Sequence, residues 1–261
     1  MTAAQATSAT FDFGRVVSNT FRVIGANLRE LSILALLLAG LPTGLMGAAQ
    51  LVMTSPVDGS VENLGLGLAI LLGGLFALVI GTVLLQALTI RVAVGTLNGE
   101  NPSAFRELRK SFGVVLPLIG LAIVMTFAMM LGFLLLVVPA IILSVIWIVA
   151  TPAYVMERPG VFGSLGRSRN LTRGHRWPIF GLVIVYIVAY SVISAVLGGI
   201  FVALAMIGGS LPAVTIASTI SNALSGAFSG IMTSAGVSAI YYELRMIKEG
   251  VGAAQLAAVF D

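Results

Sequence analysis

The chain is predicted to be an all-α polytopic membrane protein with six transmembrane helices, and three observations lead there. Only 9% of its residues are charged while 58% are hydrophobic, and a soluble domain carries roughly a quarter charged residues. The charges are also segregated, leaving uncharged runs at 31–57, 63–90, 111–156 and 177–242. A membrane helix takes about 20 apolar residues, so these runs hold one, one, two and two spans. With six spans, every lysine and arginine falls on one side of the membrane.

In chain order, the segment at about 11–29 places Phe13, Val17, Phe21, Ile24 and Leu28 on one helical face and Arg15, Arg22 and Arg29 on another. That pattern predicts an amphipathic helix lying in the membrane interface. Spans follow at about 31–53 and 64–95. A second interfacial segment, 102–112, sets Phe105, Leu108 and Phe112 against Arg106, Arg109 and Lys110. Its Ser103 and Glu107 are one residue too far apart for a capping box. Spans three and four follow at about 113–136 and 139–156. The third segment, 160–176, carries Arg167, Arg169, Arg173, His175 and Arg176 and is followed by spans at 178–207 and 213–242, with a short tail at 243–261. The whole chain thus reads as one membrane domain of three tandem units, each an interfacial helix followed by a transmembrane hairpin.

The basic residues set the orientation. Arg15, Arg22 and Arg29, then Arg91 to Lys110, Arg158 to Arg176, and Arg245 and Lys248 share one side, while the opposite loops hold only Asp58 and Glu62. Basic residues near span ends stay cytoplasmic, so both termini are expected in the cytoplasm and the first apolar run as an uncleaved anchor. Pro117, Pro178 and Pro212 fall near span starts, where a missing N–H costs little. Pro42 lies within span one, predicting a local distortion whose freed carbonyl is met by a neighbouring helix.

Chemistry has few footholds. There is no cysteine, and His175 is the single imidazole, so neither a thiolate nor a clustered metal site is expected. His175 is expected to serve as an interfacial hydrogen-bonding group. Apart from Arg91, at the inner end of span two, the spans lack ionisable residues, which weighs against a proton relay. No cofactor is expected, and a net charge of +4 placed at membrane boundaries does not suit nucleic acid. In span six, Ser218, Asn222, Gly226, Gly230, Ser234 and Ser238 recur at intervals of four. Such a row suits a helix-packing seam, within the chain or to another subunit, or alternatively a polar groove.

From Pro152 onward a more specific pattern emerges. A span ends with Pro152, Val155 and Glu157, followed by Leu165, Arg167, Ser168, Leu171, Thr172, Gly174 and Trp177 before the next span. This resembles bacterial multipass proteins grouped as YciC-like, and the membrane domain fused to some glycerophosphoryl diester phosphodiesterases. The early stretch FDFGRVVSNTFRVIGANL is similar to the start of those domains. The resemblance implies a bacterial inner-membrane protein and no transfer of hydrolase activity, because that membrane region is not the catalytic part.

The resulting expectation is a non-enzymatic protein that binds anionic phospholipids, or serves as an accessory or assembly subunit contacting other membrane proteins or its own copies. Arg15, Arg22, Arg29, Arg167, Arg169, Arg173, His175 and Arg176 are the candidate contacts. The alternative is a flippase-like carrier of a lipid or amphipathic substrate.

Overall fold

The computed structural model describes residues 11–54, 61–207 and 211–250. They are helical, with no strand among the described residues, and six helical segments are long and apolar enough to cross a membrane. The helices are α1 (Phe13–Ala35), α2 (Leu41–Thr54), α3 (Val61–Leu97), α4 (Ala104–Ser111), α5 (Val115–Leu135), α6 (Val137–Ile146), α7 (Ala150–Glu157), α8 (Val161–Thr172), α9 (Arg176–Ile207) and α10 (Leu211–Glu249). The tail expected from 243 is helical through Glu249, and the part beyond Gly250 lies outside the described residues.

The longest helices, α3 and α10, form the centre and pack against α1 and α2. Their 37 and 39 residues, at about 1.5 Å each, exceed a hydrocarbon core of about 30 Å, so both can project beyond it. Leu31, Leu34, Leu85, Leu88, Ala227 and Ile231 fill the space between α1, α3 and α10. At the end where α1 begins and α10 finishes, Val16, Leu171, Ile179, Tyr241 and Leu244 form a second cluster.

Proline explains most of the irregularities. Every proline inside a described helix lies within that helix's first three residues: Pro42, Pro117, Pro139, Pro152, Pro178 and Pro212. The ring occupies the space of the carbonyl four residues back and supplies no N–H to it, so the preceding turn must change. Before Pro42 the change is a π turn, Leu36–Gly40. Before Pro152 it is a break: span four is not continuous but divides into α6 and α7 at 147–149, where Ala150 N donates to Trp147 O at 2.9 Å.

The interfacial segments are joined to their spans in three different ways. The first runs directly into span one, bent at Asn27, whose φ is −125°, and whose amide donates to Val23 O and Thr96 Oγ1. The second, α4, meets α5 through a 3-10 turn, Phe112–Val114. The third, α8, is separated from α9 by Gly174, whose φ of +91° glycine adopts without steric cost. Local structure is therefore not repeated from unit to unit. In α1 the expected apolar face, including Phe13, Val17, Phe21 and Leu28, is exposed, while a separate stripe of Val16, Thr20 and Val23 packs inward.

The π turn imposes one stringent requirement. Gly81 of α3 crosses it so closely that an added Cβ would collide with the Leu38 carbonyl, the group four residues before Pro42. Gly81→Ala should therefore cost about 1–3 kcal/mol, as overpacking does. Gly73→Ala, with nothing within 4 Å of the new carbon, should change little. Thermal unfolding of the two variants in detergent checks the difference.

Candidate functional site

The charged residues gather where α7, α8 and α10 meet. Glu157 is the last residue of α7. Arg167, on α8, donates to it through Nε at 2.7 Å and Nη2 at 3.0 Å, a two-pronged contact that the planar guanidinium favours. Arg167 also pairs with Glu249 on α10. The hydrogen bond with Glu157, helped by the one with Glu249, raises the Arg167 pKa above its ordinary value despite partial burial. From α10, Tyr241 donates its hydroxyl to Glu157 Oε1 at 2.6 Å, and Arg245 bonds Glu249 at 2.8 Å while lying over the Tyr241 ring. Lys248 Nζ closes the group by donating to Asn170 O at 2.5 Å.

The broken span is fastened to the same helix. Because Ala150 N turns to Trp147 O, the Ile146 carbonyl loses its regular helical donor. Ser168 Oγ supplies one at 2.7 Å, and Thr172 Oγ1 lies at 3.4 Å. Leu165 and Leu171 are buried beside them, as are Pro152 and Val155 on α7. The stretch from Pro152 to Gly174 thus forms a clamp that holds α6, α7, α8 and α10 together.

Two further polar fastenings lie at this end. Glu243 of α10, with 1% of its side chain exposed, pairs with Arg15 at 3.2 Å and lies 3.4 Å from the Asp12 amide. Asp12 in turn caps α1 by accepting from Arg15 N at 3.0 Å. Glu30 accepts from Ala104 N at 2.6 Å and Ser103 Oγ at 3.3 Å, so α4 is capped by a distant carboxylate rather than by its own Ser103. Trp177 is 83% exposed, whereas Tyr241 is buried.

The basic candidates therefore divide. Arg15 and Arg167 are engaged by carboxylates. Arg22, Arg29, Arg169 and Arg173 are exposed and form no ion pair among the described residues. His175 packs near Phe11 with a buried Nδ1 that has no hydrogen-bond partner, so the expected hydrogen-bonding role is not seen at that atom. Arg176 is half-buried and its Nε has no partner. Among the described residues no three His, Asp or Glu side chains gather as a metal site would require.

The row on span six does not form one packed seam within the chain. Each interval of four advances about 40° beyond a full helical turn, so five intervals drift about 200°. Ser234 and Ser238 are buried, Gly230 faces Leu85 of α3, and Ser218 is half-buried, but Asn222 and Gly226 are exposed. The buried polar face instead takes in Ser221 and Ser225, off the row. A polar contact that sequence spacing did not single out joins α9 to α10: the Tyr186 hydroxyl lies 2.5 Å from Thr233 Oγ1 and 3.3 Å from Ser229 Oγ.

An apolar groove of about 540 Å³ runs between α6 and the first turn of α9, lined by Val138, Ile141, Ile142, Val145, Arg176, Trp177 and Phe180. Smaller apolar grooves lie between α1 and α10 and between α3 and α5. No family model matches the chain, and no curated protein or solved structure matches it.

If Glu157 and Arg167 hold α7 against α8, their effects should be coupled. Glu157→Gln and Arg167→Gln, alone and together, should give a coupling of about 1–2 kcal/mol in a double-mutant cycle of detergent unfolding. Ser168→Ala should cost about 1 kcal/mol by leaving the Ile146 carbonyl with only the longer Thr172 contact.

Proposed function

We propose that this chain is a non-enzymatic multi-pass protein of the bacterial inner membrane that binds anionic phospholipid at its cytoplasmic face, acting as an organising or accessory component of membrane assemblies. The observation that carries this reading is the division among the arginines. Arg15 and Arg167 are satisfied by carboxylates, whereas Arg22, Arg29, Arg169 and Arg173 project outward next to a surface rich in exposed Phe, Leu, Ile and Val. Near an anionic leaflet each such arginine contributes about 1 kcal/mol of attraction. The resemblance of the Pro152–Trp177 stretch to YciC-like proteins supports the same placement. The grooves favour lipid contact over carriage, since those described are apolar and lie on the flanks of the bundle.

Replacing Arg22, Arg29, Arg169 and Arg173 together by Gln should lower the anionic phospholipid that co-purifies in mild detergent, measured by lipid mass spectrometry. Unchanged lipid content would count against the reading. Orientation has a direct assay because the chain contains no cysteine. In right-side-out vesicles a membrane-impermeant maleimide should label Gly59→Cys and spare Asn98→Cys; the opposite pattern would reverse the topology.

A further inference from the structure

We propose that the groove between α6 and α9 is a site for one anionic phospholipid, with an acyl chain along Val138, Ile141, Ile142 and Val145 and the phosphate on Arg176. This deepens the reading above and rests on it.

The α6 residues follow helical spacing of three, one and three, so they present one continuous apolar stripe. The stripe extends about 10 Å at 1.5 Å per residue, leading from the α5–α6 turn toward the first turn of α9. Both walls belong to segments able to cross a membrane, so the medium facing the groove is lipid. Trp177, almost wholly exposed at its mouth, is a side chain that settles at headgroup depth, which puts its neighbour Arg176 at the level of the phosphates.

Arg176 is what makes this groove differ from the others. Its Nε is buried without a hydrogen-bond partner, and no described carboxylate pairs with it. Buried donors in native proteins are nearly always satisfied, and a guanidinium in particular suits a phosphate, which it can bond in the two-pronged manner. The smaller grooves against α1 and α3 are lined by no charged residue.

Selectivity follows from the surroundings. An acyl chain leaving the bilayer for an apolar groove gains little hydrophobic free energy, since lipid tails are as apolar as the wall. The groove therefore sets shape, and the discrimination between lipids lies in the charge met at Arg176.

Native mass spectrometry of the full chain, titrated with phosphatidylglycerol or phosphatidylcholine, tests this. The wild type should retain one phosphatidylglycerol more firmly than the rest. Arg176→Gln should weaken that single retention by about tenfold, the effect of losing one charge-assisted hydrogen bond, and leave phosphatidylcholine unchanged. Ile142→Trp, which fills the groove, should reduce both lipids; Val138→Trp replaces it if the first variant is not monodisperse. Equal retention by wild type and Arg176→Gln would overturn the site. If the fourfold arginine variant nevertheless loses anionic lipid, the broader reading survives. A wild type with no preference between the two lipids would overturn both.

Discussion

The Glu157 carboxylate is the constraint on which the charged end of the molecule depends. It receives Arg167 from α8 and Tyr241 from α10 while terminating α7. Helices of 8 and 12 residues are too short to be stable alone, and neither crosses the membrane by itself. Their position follows from what they are fastened to. An ion pair of this kind is least costly at the membrane boundary, because charge within the hydrocarbon is expensive. Inside the bundle the polar contacts are hydroxyls, such as Tyr186 with Thr233.

A second constraint comes from proline. Each ring deprives an earlier carbonyl of its helical donor, and in lipid such a group must be met by protein. Two solutions occur. Before Pro42 the turn widens to a π turn, and α3 approaches the Leu38 carbonyl at a glycine. Before Pro152, whose own i−4 carbonyl is that of Ile148, the helix breaks instead, and it is the break that frees the Ile146 carbonyl, which accepts from Ser168 Oγ and lies 3.4 Å from Thr172 Oγ1 on α8. The interruption of span four and the hydroxyls of the segment after it are thus one arrangement. It gives Pro152, Ser168 and Thr172 a common structural role.

The six spans were legible because lipid leaves few choices: an uncharged run long enough to cross must be helical to satisfy its own backbone. Pro42 was legible as a distortion for the same reason. The break before Pro152 was not anticipated, although that proline acts on its i−4 carbonyl just as Pro42 does; its nearness to the span end masked it. The roles of the arginines were not separable by composition, since pairing is a tertiary property. Spacing did carry a clue: Arg167 and Arg169 lie about 200° apart on a helix, and one is paired inside while the other is exposed. The same arithmetic dissolves the expected seam on α10, whose row of small residues winds around the helix. Glu30, Glu243 and Tyr186 gave no local signal, because their partners lie 43 to 231 positions away.

The acids and bases at this end are not used symmetrically. Glu30, Glu157, Glu243 and Glu249 each accept a bond from another helix, while Asp12 and Glu107 bond within their own, so these carboxylates are engaged in internal fastening. The positive charge is in excess by four over the chain, and exposed cations lie on α1, α4 and α8 together with Arg158 and Arg173. A bundle that neutralised its own cations would have no electrostatic reason to prefer one leaflet. This one keeps its carboxylates for internal fastening and leaves arginines facing out, the arrangement that the proposed contact with anionic phospholipid requires. At the membrane boundary, the nearest abundant anion is the phospholipid headgroup.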